Sequence, residues 1–370
     1  IIVPTYNRAN YLKECLDSLI TQSRPALEII VIDDGSEDNT ANIVKEYGDK
    51  VRYVHKSNGG KPSAVNYGLS IAKGNLIWLF DDDDAALPDA IETRLAVLAN
   101  KPYAGFVYSP HYIGSNDKHG KLKKDKLYQP YNYADSEFLF ELLKGCFFHL
   151  ASSIVRIEAY QLVGGFDTDL LSSEDYDMQI RLARLFPAAY SKAPSFIFRQ
   201  HTGLRGAAGI RYSSNDRTSV FRKYDQLVGK KIRSNFSIGE FLIPPSSETI
   251  TTVQQHRDAL LARMVIMASK GCITEMFDDL LSALALIDNS SEPSINELLS
   301  TAITTGYAYE AIKADWPSFK CRLRDLNNNP YGKQAKIALA KGFFRLAKSY
   351  PGNIFDRTTK LRYAFTTVLS

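Results

Sequence analysis

The densest chemistry in the sequence is Phe80-Asp81-Asp82-Asp83-Asp84, four adjacent carboxylates directly after the apolar run Leu76 to Phe80. Such a cluster repels itself strongly and is tolerable only beside water or a cation. Hard divalent ions take carboxylate oxygens, and Mg²⁺ or Mn²⁺ is typically held by one or two carboxylates plus substrate phosphates. The bland alternative is a solvated acidic turn ahead of a helix, where Asp is favoured at the N-terminus. Three other polar clusters decide between them: Thr5 to Arg8, Asp33-Asp34-Gly35-Ser36 and Asn58-Gly59-Gly60-Lys61. Each also follows an apolar run.

Those runs are the elements that must position the chemistry. Ile1-Ile2-Val3, Glu28 to Ile32, Val51 to His55 and Leu76 to Phe80 read as strands, and the β-branched Ile29-Ile30-Val31-Ile32 run marks one buried on both faces. Between them, Leu12, Leu16, Leu19 and Ile20 recur at helical spacing after a cap placed at Asn10, and a further helix passes through Ile43, Val44 and Tyr47. Strands alternating with helices predict an α/β domain with a mostly parallel sheet flanked by helices. Ligands of such sheets bind past the carboxyl ends of the strands, where all four clusters fall. In an extended acidic run, Asp82 would lie on the face opposite Asp81 and Asp83.

Two phosphate-binding loops are excluded. A Walker A loop needs Gly where His55 stands and Ser or Thr where Pro62 stands, and no G-x-G-x-x-G follows the first strand. Downstream, Gly164-Gly165-Phe166-Asp167 leads into Ser172-Ser173-Glu174-Asp175-Tyr176-Asp177, with Ser173 read as the cap of a helix carrying Ile180, Leu182 and Leu185. Taken alone, carboxylates in that first turn are partners of the helix dipole.

Beyond Pro244-Pro245-Ser246-Ser247, a linker-like stretch, helical patterns replace strands. The expected division is residues 1–245 and 246–370, the second a smaller all-α domain built like a helical repeat and serving acceptor, membrane or partner association. Its last 40 residues hold Lys333, Lys336, Lys341, Arg345, Lys348, Arg357, Lys360 and Arg362 against the single acid Asp356. Together with the lysine-rich stretch 118–126, they are the candidates for contact with an anionic membrane or glycan. A net charge of +4 over 370 residues is too small for a dedicated nucleic-acid binder. Cys15, Cys146, Cys272 and Cys321 form no C-x-x-C pair and read as free thiols of a reducing compartment; with the basic C-terminal segment, the expected location is the cytoplasm, peripheral at the inner face of the membrane. The sequence opens on Ile1 inside a strand pattern, so its true start is expected upstream.

Pro4-Thr5-Tyr6-Asn7-Arg8, Asp33-Asp34-Gly35-Ser36, the 58–68 stretch, the acidic cluster and Glu174-Asp175 occur in an order that resembles the family 2 glycosyltransferases of the GT-A fold, over about residues 1–205. The resemblance implies an inverting transfer from a nucleotide diphosphate sugar, commonly a UDP-sugar, to a glycan, lipid-linked or other hydroxyl acceptor, with Mn²⁺ or Mg²⁺. Pro4, Thr5 and Asn7 would line the nucleoside pocket, Asp34 would accept from the base and Asp33 would support it. Asp81 and Asp83 would be the D-x-D pair within an acidic run that includes Asp82, Asp83 ligating the metal and Asp81 nearer the ribose or a metal-bound water. His201 would stand near the metal or diphosphate, and Asp175 would be the catalytic base. Lys61, Asn66 and Asp82 would also meet the nucleotide sugar; many relatives carry Arg just before the residue matching Asn66, where this chain has Val65, and Lys61 is the candidate to supply that charge. Competing readings are a nucleotide-sugar-binding module without turnover and a sugar-nucleotide-forming nucleotidyltransferase. The latter would be expected to show a Gly-rich basic loop where Pro4-Thr5-Tyr6-Asn7-Arg8 stands.

Overall fold

The computed structural model describes residues 1–201, 217–246, 250–287, 292–349 and 354–369. Its contacts divide the chain into two units. The first holds 1–138 and 146–221, and the second holds 139–145 and 222–370. The boundary thus precedes the linker-like prolines, because the long helix Arg217–Asn235 packs mostly with the helices that follow it.

Strands of the first unit are β1 (Ile2–Thr5), β2 (Ile30–Asp33), β3 (Arg52–His55), β4 (Leu76–Ile77), β5 (Ala85–Ala86), β6 (Phe106–Tyr108), β7 (His111–Asn116), β8 (Leu122–Tyr128), β9 (Ile154–Arg156), β10 (Ala188–Tyr190) and β11 (Phe196–Arg199). The first three are parallel in the order β1-β2-β3, with Thr5 level with Asp33 and Asp33 level with His55. On the free side of β1, the Ile2 amide donates to the Trp78 carbonyl and the Phe80 amide to the Ile2 carbonyl. The acidic run therefore leaves the sheet beside the end of β1. A second sheet, β10-β6-β9-β4, continues from there with antiparallel pairs on both sides of β9. A third, β5-β11-β7-β8, runs β5 against β11 and so brings the end of β11 back to the acidic run.

Packing fixes the crossover helices. Val3, Leu12, Leu16, Leu19, Val31, Trp78 and Phe80 share one fully buried core. The helix Gly60–Ile71 lies so close to the sheet that a Cβ on Gly68 would meet Ile2 Cγ2 at 2.6 Å. Only a glycine permits that approach, which brings Lys61 over the strand ends. One expected cap moves. The helix expected after Asn10 begins at Ala9, and the Ala9 amide donates 3.0 Å to Asp38 Oδ2 from the neighbouring turn. Asp38 Oδ1 meanwhile accepts from the amide of Thr40, where the next helix starts. A tertiary carboxylate thus does what a local Asn was expected to do.

Among the described residues, the second unit contains helices and no strands. Phe277, Phe319 and Phe343 are fully buried at its centre, and Trp316 stacks on Tyr363 with ring centroids 3.9 Å apart. Buried Asp279 takes Arg233 at 2.6 Å and Arg263 at 2.7 Å, so its charge is well matched. No helix among the described residues is long and apolar enough to cross a membrane. None of the four cysteines forms a disulfide.

Candidate active site

The four sequence clusters converge past the carboxyl ends of β1, β2, β3 and the 78–80 strip. Asn7 has a left-handed backbone, φ 53°, which a short polar side chain tolerates better than most. Its amide donates to Ser36 Oγ at 2.9 Å and its Oδ1 accepts from the Glu37 amide at 2.9 Å, locking the first cluster to the second. Pro4 lines the adjoining cleft and Thr5 is buried at the end of β1. Asp33 accepts from the Ser36 amide and the Tyr53 hydroxyl, and so shapes its own turn. Asp34 accepts from the amides of Gly59 and Gly60 and from Lys56 Nζ at 2.6 Å. It thereby caps the helix Gly60–Ile71 from a distance, with negative charge where the macrodipole is positive.

The acidic run is a turn, closed by the Asp84 amide on the Asp81 carbonyl at 3.3 Å. Strand alternation therefore does not apply. Asp82, Asp83 and Asp84 are all buried, and Asp82 is not on a separate exposed face. Asp84 Oδ1 accepts from the Arg199 amide. The fully buried Arg199 then donates to the Asp83 carbonyl, Asn116 and Glu14, pinning the turn to the end of β11. Burial pushes Asp82 up to about 7, against the pull of Arg8 and with a further push from Asp83.

The turn divides its carboxylates between two cations. Asp81 takes Lys61 Nζ at 2.6 Å. Asp83 takes Arg8 and, at 2.9 Å from the same Oδ2, His201 Nε2. The His201 ring also leans on Tyr11, centroids 5.3 Å apart. Sequence reasoning gave Arg8 no role, although it closes the first cluster and sits within 3.9 Å of Asp82 as well. Burial alone would lower the Arg8 guanidinium, but Asp82 and Asp83 hold it firmly charged.

Among the described residues, no three His, Cys, Asp or Glu side chains are gathered as a ready metal cage. Mg²⁺ and Mn²⁺ sites that complete themselves with substrate phosphates need only one or two protein ligands. Asp83 Oδ2 and His201 Nε2 stand 2.9 Å apart, close to the ~3 Å between neighbouring ligands of an ion bound at ~2.1 Å. The donor set, with surplus negative charge around it, fits such an ion.

Across the cleft, the helix Glu174–Leu185 begins after Ser173, whose backbone is left-handed at φ 61° and whose side chain makes no capping bond to the helix. The expected Ser173 side-chain cap is therefore absent. Glu174, Asp175 and Asp177 occupy the first turn instead, suited to the helix dipole. Asn66 sets the approach to this turn: it donates to the Phe166 carbonyl at 2.8 Å and accepts from the Phe166 amide at 2.7 Å. Asp177 is buried and engaged by Arg181. Glu174 and Asp175, by contrast, line one cleft with Lys61, Val65, Asp81 and His149. Lys61 Nζ is 4.0 Å from Glu174, and burial of this ammonium is outweighed by Asp81, Glu174 and Asp175, which hold it charged.

Burial first, and then the Asp175 charge, push Glu174 up to about 7, while Lys61 opposes them. A carboxyl whose folded pKa exceeds its unfolded value of 4.5 binds more protons when folded. The stability of the protein therefore falls as pH rises from about 4.5 to about 7. Glu174→Gln removes that loss, and Lys61 keeps Asp81. The variant is expected to melt above the unmodified chain at pH 8 and together with it at pH 4. Each kcal/mol recovered shows as about 2–4 °C in thermal unfolding. A gap of equal size at both pH values would contradict the assignment.

Residues 1–162 match the model of glycosyl transferase family 2. An uncharacterised glycosyltransferase of Rickettsia typhi is 34% identical over 197 residues, covering 50% of this chain and 58% of that protein. The chondroitin synthase of Pasteurella multocida is 35% identical over 188 residues, 50% of this chain and 19% of that protein. The chain spans less than two thirds of the length of these curated relatives. S. aureus TarS 1-349, solved in complex with UDP-GlcNAc, superposes with a TM-score of 0.54 at 17% identity, covering 88% of this chain and 90% of that one. The parallel strands, the polar clusters at their ends and the family match agree: residues 1–162 are a glycosyl transferase family 2 region, and the first unit has the GT-A fold.

Proposed function

We propose that the chain is an inverting glycosyltransferase that moves a sugar from a nucleotide diphosphate donor, a UDP-sugar, to an acceptor hydroxyl with the help of Mn²⁺ or Mg²⁺. The observation that carries this reading is the single cleft in which Asp81, Lys61, Glu174 and Asp175 meet, beside the Asp83–His201 pair. The UDP-GlcNAc held by TarS supports the choice of donor. Pro4, Thr5 and Asn7 would border the nucleoside, with Asp33 and Asp34 holding the walls of that pocket in shape. Asp83 and His201, with Asp81 close by, would hold the divalent ion, which supplies charge stabilisation to the departing diphosphate.

The protein's own residues do the remaining work. Lys61, on the rigid helix over the strand ends, adds positive charge where the family resemblance places an Arg at Val65. Arg8 is a second cation near the leaving group. Asp175 accepts the proton of the acceptor hydroxyl as the acceptor oxygen bonds to the anomeric carbon and the carbon–diphosphate bond breaks. Attack from the side opposite the leaving group inverts the configuration. The closed cleft serves chiefly to align the two substrates.

The test is release of nucleoside diphosphate from a panel of nucleotide sugars, with and without Mn²⁺ and chelator. Metal-dependent release from a UDP-sugar, raised by an acceptor, is the expected result. Tight donor binding with no release under any of these conditions would favour a binding module instead.

A further inference from the structure

The second unit ends in two helices whose outward faces are not those of an ordinary solvated surface. On Gly332–Ser349 the residues exposed to solvent include Lys333, Ile337, Lys341, Phe344, Arg345 and Lys348, a stripe at helical spacing that alternates basic and apolar side chains. On Ile354–Leu369, Arg357, Arg362, Phe365 and Val368 are exposed. The two stripes join, because the Phe344 and Phe365 rings meet edge to face with centroids 5.7 Å apart. Both rings nevertheless remain open to solvent, 40% and 61% exposed, with Ile337 at 37% and Val368 at 45%.

The core requirement of these helices is already met elsewhere. Leu339 and Phe343 on the first helix and Ala364 on the second are fully buried on the opposite side, and Tyr363 stacks on Trp316. The exposed rings are therefore surplus to folding. The only acid in either helix, Asp356, is engaged by Lys360 at 2.7 Å and by the Tyr309 hydroxyl. The face thus combines an apolar centre with basic side chains and no opposing exposed carboxylate of its own helices.

We infer that these outward faces of Gly332–Ser349 and Ile354–Leu369 form a docking surface for an anionic lipid bilayer. Phe344 and Phe365 enter the boundary between headgroups and acyl chains, and Lys333, Lys341, Arg345, Lys348, Arg357 and Arg362 meet the lipid phosphates. Aromatic rings buried to that depth and basic residues held within a Debye length of an anionic surface act together. Neither is sufficient alone, which gives the surface its selectivity. A soluble polyanion would satisfy the charges and leave the rings in water.

The experiment is sedimentation of the full chain with phosphatidylcholine vesicles, with and without phosphatidylglycerol. The chain is expected to bind the anionic vesicles, to bind them less as salt is added, and to leave the neutral ones largely free. Phe344→Ser/Phe365→Ser should lower the partition coefficient at least about tenfold while the melting curve stays unchanged. Lys341→Glu/Lys348→Glu should lower it by a similar factor through charge alone, also without loss of folding. Equal binding to both vesicle types, binding to neither, or binding untouched by the two double variants overturns the inference. So does a lipid-free dimer that the phenylalanine variant dissolves, since a second copy would then be the occupant.

Discussion

Asp83→Ala is expected to lower sugar transfer by about 10³-fold or more and to abolish its response to added Mn²⁺. The reason is the geometry of the acidic turn. Asp83 Oδ2 is the atom shared by His201 and Arg8, so its removal takes away the partner of both in one step. A Lewis acid at a departing diphosphate contributes several kcal/mol, and every 1.36 kcal/mol is a factor of about ten in rate. Chelator should inactivate the unmodified enzyme to a similar extent. Full activity in chelator would sink the metal assignment, and Asp83→Ala with near-normal transfer would sink the role of this residue. A structural effect is separable: the turn also rests on Asp84 and Arg199, so the variant should unfold at a temperature close to that of the parent. Asp82→Ala makes a useful contrast. Its carboxyl is buried and pushed up to about 7, so the variant relieves a poorly solvated group and should cost less activity than Asp83→Ala.

Much of this site was legible because polar clusters after apolar runs can be seen in one dimension. Strand β2 is four β-branched or acidic residues buried throughout, and nothing in its sequence competes with that reading. The apolar start of β1, Ile2-Val3, reads as plainly. What escaped depends on distance in space. Arg8 sits 75 positions from Asp83, and no local pattern joins them. Arg199 was assigned no role from sequence, yet it ties Asp83, Asp84, Glu14 and Asn116 together. Its signal was weak but present, since an Arg closing an apolar strand requires a partner when buried.

Two local rules failed, each for its own physical reason. Asn10 and Ser173 looked like helix caps because short polar side chains ordinarily satisfy the first free amides. At the first helix a carboxylate from another turn, Asp38, already accepts from Ala9, so no local cap is needed. At Ser173 a left-handed backbone replaces the extended one that capping requires. Asn7 and Ser173 are the two non-glycine residues with positive φ among the described residues; Asn7 joins two of the polar clusters and Ser173 directly precedes the cleft residue Glu174. Backbone strain of this kind persists where surrounding contacts over-determine it, and it concentrates at functional sites. Local sequence rules therefore broke down at the edges of the candidate site and held in the scaffold that supports it.

Asp175→Asn is expected to keep donor and metal affinity while lowering transfer by about 10²-fold or more, the scale of general-base catalysis. An acceptor hydroxyl gains nucleophilicity by losing its proton as it attacks, and an amide of the same shape cannot take that proton. Position supports the choice among the three acids of this helical turn. Asp177 is buried in its pair with Arg181, and Glu174 lies toward Lys61. Asp175 faces the same cleft as Asp81 and Lys61, from a helix start fixed through Asn66 and the Phe166 backbone. Asp177→Asn should therefore act mainly on stability, through loss of its ion pair, and only mildly on rate. Substituting Asp175 should leave the KM for donor almost unchanged and reduce kcat, because a proton acceptor acts in the transition state rather than in the bound complex. The glycosidic product should carry the anomeric configuration opposite to that of the donor. A product of retained configuration would require a covalent or front-face route that assigns Asp175 another task. Near-normal kcat in Asp175→Asn would move the base to Glu174, whose raised pKa predicts a transfer rate that climbs as pH passes about 7.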